Sequence, residues 1–348
     1  MTPALPARAR PPWPAWALGF AAAVAGAAFL SLASAPVAQG WLVAFVFWSG
    51  IPVGSLVLLL IHRLTGGRWG ERLAPALRPA ASAAPLALLA FIPVAVGLEK
   101  IFPWAAHAGA VPPGVSHYLN APLFLARAVL ALGGWSILAV LVVQGRCTRL
   151  IAGLGLAFYG LTISLVSVDW ILSIEPPFTS TAFAACIAIQ QLLSALAFTA
   201  LAAPEEPGDP ATGDLAGLIL AALLGVVYIA FMSYVVAWYG NLPEKAAWYL
   251  RRGVDGWAWT IGAAVALGAA LPFWLLLTSR VRRSRRALRL VGALVLLGVW
   301  LHVVWLLAPA FHPDAIVAAM IALAVLAFLS LGFARGVAHR LAEDADGR

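Results

Sequence analysis

Charge is the scarcest commodity in this sequence. Of 348 residues only 10% are Asp, Glu, Lys or Arg, where a soluble domain carries about 25%. So little charge cannot coat a soluble body of this size, which excludes a cytosolic or secreted globular protein. Cysteine is almost missing: there are Cys147 and Cys186 and no others. They form no CxxC, no CxxCH and no four-cysteine run, so the chain builds no iron–sulfur cluster and no c-type haem of its own. The six histidines make no HxxH or HExxH, which leaves a metal site without support. A phosphate loop, GxxxxGK(S/T), is also lacking, and "HRLTGGRWGERL" (His62 to Leu73) reads instead as a glycine turn ending a helix, with Arg and Trp at a membrane interface.

What remains is oil. Hydrophobic residues make up 63% of the chain, with Trp at 15, a residue suited to bilayer interfaces. A helix crosses a bilayer with about 20 mostly apolar residues. That rule predicts ten spans, near 15–35, 41–61, 82–102, 121–143, 150–172, 182–202, 215–238, 255–278, 287–308 and 314–334. The expectation is an all-α polytopic membrane protein, one integral domain over residues 1–348, with a short N-terminus (1–14), a ten-helix region (15–334) and a C-terminal tail (335–348). No short sequence repeat is evident; a looser one, with helices two to five and six to nine as two four-helix sets, fits the count. Arg8 and Arg10 before the first run, and "SLASAPVAQG" after it, imitate a signal peptide, but the run is long enough to span and the expectation is an uncleaved first helix.

The net charge is +8. No groove of interleaved basic and aromatic residues accompanies it, so nucleic acid is not an expected partner; the bilayer is. If the N-terminus is inside, seventeen Lys and Arg fall in inside segments and four (Lys100, Lys245, Arg251 and Arg252) outside. The positive-inside rule then places both termini in the cytoplasm. The acidic connector "PEEPGDPATGD" (Pro204 to Asp214) is also inside, which matters little because acids weigh lightly in that rule.

Ionisable residues in membrane spans are functional suspects, because burying them costs several kcal/mol. Glu99 closes the third helix and Asp169 the fifth, with Glu175 in the loop beyond. A helix C-terminus disfavours an anion, so Glu99 and Asp169 need a cation, and Arg127, about six residues into the fourth helix, is the natural one. Such a pair is either structural or part of a proton or quinol site. Asp255 and Asp314 open helices eight and ten, where the dipole favours them. His302 lies within the ninth helix. His62 sits at a different depth, which argues against a haem b held between the two. "GNLPEKAAWYLRR" (Gly240 to Arg252) reads as a polar segment that lies on the membrane surface or docks a partner subunit.

Four segments, "WSGIPVGSLVLLLIHRLTGGRWG" (Trp48 to Gly70), "HYLNAPLFLAR" (His117 to Arg127), "DWILSIEPPFTSTAF" (Asp169 to Phe183) and "NLPEKAAWYLRR" (Asn241 to Arg252), come in one order along about two-thirds of the chain. Together they resemble the ActF-type membrane subunit of alternative complex III, a bacterial quinol:cytochrome c oxidoreductase, distantly related to NrfD-type quinone-interacting membrane anchors. The C-terminal third departs: "LHVVWLLAPAF" lacks the polar residues usual before its Trp. The resemblance implies ten helices with two four-helix bundles, helices two to five and six to nine, plus two peripheral helices, in a bacterial inner membrane. It implies a non-catalytic respiratory subunit that supports quinol oxidation and conducts protons, with Glu99, Arg127, Asp169, Glu175 and His302 as candidates for the proton path or quinone site. Expected partners are a sister NrfD-like quinone-binding subunit, iron–sulfur and haem c subunits, and a terminal oxidase; the chain itself would bind no cofactor but quinone or quinol. Two other readings stay open. A stand-alone secondary transporter would use helices broken near the midplane, for which Gly50, Pro52, Gly54 and Pro272 are candidates. A purely structural anchor would need none of these residues.

Overall fold

The computed structural model describes residues 13–107, 113–176, 178–202, 211–254 and 256–346. Arg8, Arg10, Asp255 and most of the acidic connector lie outside the described residues. Within them every regular element is helical, and ten helices are long and apolar enough to cross a membrane. They are α1 (Trp13–Ala33), α2 (Ala35–Thr65), α3 (Arg68–Ala81), α4 (Ala121–Val143), α5 (Arg149–Trp170), α6 (Phe183–Ala202), α7 (Ala211–Tyr239), α8 (Trp257–Leu277), α9 (Arg285–Leu307) and α10 (Ala315–Asp346).

Local chemistry sets several of the starts. Asn120, Thr148 and Ser284 each stand just before a helix, and their side chains accept the Leu123, Ile151 and Ala287 amides at 3.0, 3.2 and 3.3 Å. Each satisfies one of the amides that a helix N-terminus leaves free. Gly66 and Gly67, both at positive φ, make the expected turn after α2.

The third span departs from the expected 82–102. It begins at Arg68, immediately after that turn, and runs to Val96. Pro75, Pro79, Pro85 and Pro93 remove ladder donors along it, and beyond Ala81 it breaks into the short pieces Leu86–Ala90 and Ile92–Val96. Its first part is amphipathic: Leu73, Ala76, Leu77 and Ala80 are buried, while Arg68, Glu71, Arg72 and Arg78 lie away from that face or half-exposed. Charge at this end hid the helix from a hydropathy rule.

α2 is the axis of the molecule, buried along almost its whole length. It packs against α3 and α5 of the first bundle, against α6 of the second and against α10. α4 closes the first bundle on α5. In the second, α6 packs against α7 and α9, and α8 against α9. α1 and α10 lie outside both bundles, each against α2. The two four-helix bundles with two peripheral helices are therefore present as expected.

Between membrane helices, lipid gives no hydrophobic drive, so close backbone approach and packing hold the seams. At the α2–α6 seam a Cβ on Gly54 would strike the Gln191 carbonyl. At the α8–α9 seam Gly268 and Gly298 lie backbone to backbone, and a Cβ on either would meet the other. These approaches also correct the expected interruption of α2. The helix runs through Gly50, Pro52 and Gly54 without a break. Pro52 costs one ladder bond, but it is buried in the middle of a helix gripped on both sides by α6 and α10. α8 is the helix that is interrupted, by a π-helical turn over Ala266–Ala270 just before Pro272.

The two ends of the bundle differ. One is rich in arginine: Arg63, Arg68, Arg72, Arg146, Arg149 and the run from Arg280 to Arg289 gather there. On that face Arg72 Nη1 meets Asp214 Oδ2 at 3.3 Å, tying the start of α3 to the start of α7. The opposite face carries the acids discussed next.

Candidate functional site

Asp169 and Arg127 meet at the opposite face of the first bundle. α5 ends one residue after Asp169, so the carboxylate stands where the helix dipole offers no help. α4 supplies Arg127 from its second turn. The contact is bidentate: Nε donates to Oδ2 at 2.7 Å and Nη2 to Oδ1 at 2.9 Å. The Asp169 side chain is 1% exposed and that of Arg127 13%. This is the geometry in which Arg outperforms Lys.

Tyr118 completes the cluster. The Arg127 guanidinium lies 3.8 Å from the centre of its ring and donates to its backbone carbonyl at 3.1 Å. The Asp169 charge lies near enough to act on the phenol. Below the pair, Ser173 Oγ donates to the Asp169 carbonyl at 2.5 Å and accepts Trp104 Nε1 at 3.2 Å. Trp170, Phe45, Phe91 and Trp135 form an aromatic floor with ring centres 5.3–6.3 Å apart. A charged pair roofed by a phenol and floored by aromatics is shut off from bulk water on most sides.

Burial pushes the Tyr118 phenol up to about 12, with the Asp169 charge acting in the same direction and Arg127 against it. A phenol raised on folding stabilises the fold while it keeps its proton. That contribution is complete below the ordinary tyrosine value of about 10 and is lost as pH rises through about 12. Ultraviolet titration of the protein in micelles should therefore lose a component near pH 12 in Tyr118→Phe. Loss of a component near the ordinary value instead would contradict the assignment.

Glu175 forms a second charge cluster, in the connection leaving α5. One carboxylate oxygen meets Arg251 at 2.8 Å and the other Arg252. Arg252 is the deeper cation, its side chain 2% exposed against 62% for Arg251. The guanidinium stacks 3.7 Å over the Trp248 ring and donates to the Leu306 carbonyl at 2.8 Å. Trp305 Nε1 returns a bond to the Arg252 carbonyl at 3.1 Å. Burial pulls the Arg252 guanidinium down and Glu175 opposes it. Arg252 was missed from the sequence, where it read as one of two loop charges. The signal was Trp248 four residues earlier, which the short helix Pro243–Arg251 brings onto the same face.

The remaining candidates separate. Glu99 is exposed, makes no ion pair among the described residues and does not join Arg127. Its neighbour Lys100 gives only its backbone carbonyl, to Gln39 Nε2 at 3.0 Å. His302 sits in α9 facing α6, where Nδ1 meets Gln190 Oε1 at 2.7 Å. Asp314 opens α10 as expected, exposed and 3.4 Å from His312. Among the described residues no group of three His, Cys, Asp or Glu is placed to hold a metal. Cys147 and Cys186 are both free and buried.

The fold and these charges define a class: a ten-helix, multi-pass membrane protein with ion pairs buried at one end of each bundle. Compared with known protein families and with curated proteins, the chain matches no family model and no curated sequence.

Proposed function

We propose that the chain is a membrane subunit of a respiratory quinol:cytochrome c oxidoreductase of the alternative complex III kind, inserted in a bacterial inner membrane with its arginine-rich face in the cytoplasm. The observation that carries this reading is the Arg127–Asp169–Tyr118 cluster. A structural pair needs only an Arg and an acid. Here the same guanidinium also lies over the ring of Tyr118 and bonds its backbone carbonyl, which brings a phenol to the pair at the outer end, where quinol would be oxidised. Oxidation of one quinol gives a quinone, two protons and two electrons. The electrons pass to iron–sulfur and haem carriers in partner subunits. The protons need acceptors near that face, and Asp169 and the Tyr118 phenol beside the same arginine are the groups it offers. The four resemblance segments support the same reading, since three of them hold Arg127, Asp169 and Glu175, and Arg252.

The test has two parts. Tagged chain extracted in mild detergent should bring with it subunits that show a haem c reduced-minus-oxidised difference spectrum. In the assembled complex, Asp169→Asn should lower quinol:acceptor turnover and proton release by tenfold or more. A chain that purifies alone, or a complex whose turnover ignores the substitution, would remove the proposal.

A further inference from the structure

The second bundle is hollow. A cavity of about 620 Å3 lies between α6, α7, α8 and α9, within the range of small-molecule sites, roughly 300–1,000 Å3. Its lining is graded from end to end. At the end opposite the arginine-rich face stand Ser180, Tyr249 and Arg252, the arginine with its charge already met by Glu175. Further in, His302 and Gln190 bond to each other at 2.7 Å. The deep end is Leu193, Leu223, Gly268 and Gly298, which offer no polar side chain. Leu223 and Tyr234 mark the depth on α7: eleven residues apart, they are separated by about 16 Å of helix at 1.5 Å per residue. A bilayer's hydrocarbon core is about 30 Å thick, so the cavity is about as deep as one leaflet.

A second, smaller hollow of about 200 Å3 adjoins it. The two share Phe178, Ser180, Ser233 and Tyr249 as a common wall. Ser233 Oγ is folded back onto the Ile229 carbonyl at 2.8 Å, so between Ser180 and Ser233 that wall is built of small side chains. The smaller hollow is the polar one. Thr179, Ser180 and Thr181 bring hydroxyls to it and Lys245 an ammonium. Lys245 is half-buried and makes no ion pair among the described residues. Among the described residues no Asp or Glu lines either hollow. On its open side the smaller hollow is edged by Tyr228, Met232 and Val236, all exposed on the surface of α7, where acyl chains lie.

We infer that the two hollows together hold one acidic phospholipid from the leaflet at that face. Its phosphate sits in the polar hollow on Lys245 and the hydroxyls. One acyl chain passes between Ser180 and Ser233 into the cavity, and the other lies outside on Tyr228, Met232 and Val236. The polarity of the site runs in the same order as that of the lipid, and its depth matches one chain. A phosphodiester brings one negative charge to an ammonium that lacks one. A headgroup amine would find no carboxylate in the lining, which selects against zwitterionic lipids. A free phosphate would leave the apolar cavity unfilled, whereas packing is what holds membrane helices together. This inference goes beyond the proposed function and needs neither Arg127, Asp169 nor a redox partner.

The test uses the full chain in mild detergent, with native mass spectrometry to count bound lipid. Phosphatidylglycerol and phosphatidylcholine of equal chain length are the probes. A single phosphatidylglycerol per chain should survive detergent exchange and should be preferred over phosphatidylcholine about fivefold, the order expected of one cation near a membrane surface. Lys245→Gln should erase that preference. Phosphatidylglycerol with a diazirine midway along each chain should label the cavity wall at Val226, Ala230 or Val299 as well as the outer face of α7. Ala230→Phe, which fills the void, should remove the inner label with helicity unchanged in circular dichroism. If Ala230→Phe fails to insert, Lys245→Gln and the label map of the natural sequence carry the result. Four results would each overturn the site: no preference for phosphatidylglycerol, a preference that Lys245→Gln leaves unmoved, labels on the exposed Leu154 and Leu161 of α5 as strong as those in the cavity, or release of the lipid by inorganic phosphate, which would make the polar hollow a plain anion site.

Discussion

Arg127→Leu should cost the protein about 3–5 kcal/mol, the usual penalty for stripping one partner from a buried ion pair. The residue left behind is Asp169, 1% exposed and at a helix end where the dipole repels it. The two charge-assisted hydrogen bonds from Arg127 would be lost together. The double variant Arg127→Leu, Asp169→Leu should recover most of the loss, because apolar residues of similar volume often replace buried pairs at little cost. Unfolding by denaturant in mixed micelles reads both values. A single variant within about 1 kcal/mol of the parent, the range of an exposed pair, would show that water reaches the cluster freely.

The second large effect belongs to a residue with no side chain. Gly54→Val should destabilise by roughly 3 kcal/mol or more, at or beyond the upper end of ordinary overpacking. The new Cβ would collide with the Gln191 carbonyl of α6, and backbone cannot step aside as a side chain can. This seam joins the two bundles, so the variant should also sediment as a looser particle and expose the seam to proteolysis. Gly133→Val is the control. Nothing lies within 4 Å of a Cβ at that position, and its stability should stay within about 0.5 kcal/mol, as for other surface substitutions. Equal losses in the two variants would show that helix propensity, rather than the close approach, governs them.

Much of the frame was legible because length and apolarity are local properties. Ten spans follow from apolar runs, and the two bundles were expected from their count and from the resemblance, whereas the caps Asn120, Thr148 and Ser284 were not read beforehand. The early start of α3 was not, since Arg68, Glu71, Arg72 and Arg78 dilute its first turns and only tertiary burial of Leu73 and Leu77 keeps it in place. The Arg127–Asp169 pair could be inferred from two facts, an acid at the wrong end of a helix and a cation at similar depth. Glu99 met the same first condition and failed the second, because its turn leaves it exposed instead of facing α4. Arg252 was hidden by adjacency: of two neighbouring arginines, sequence does not say which one folds inward over Trp248. Gln190 was overlooked for being neutral, although it holds His302.

One regularity links the halves and was visible only once the bundles were known. The spacing from Trp170 to Trp305 equals that from Gly133 to Gly268, from Ser55 to Gln190 and from Ser167 to His302. In the first bundle the serine hydroxyls at two of these positions, Ser55 and Ser167, are buried with no hydrogen-bond partner among the described residues. In the second, the longer polar side chains find each other and edge a void. By the same spacing Asp169 corresponds to Val304 and Arg127 to Gly262, so the first bundle kept a charge pair where the second has none.

The seam between the bundles has a mechanical consequence. Arg72 and Asp214 fasten it at one face, the Glu175–Arg252 contact fastens it at the other, and Gly54 sits pressed against α6 between them. Tilting one half against the other would strain all three contacts, of which the exposed Arg72–Asp214 pair is the weakest. Alternating access by such tilting, as in many carriers, would have to tear a buried arginine from its carboxylate on every cycle.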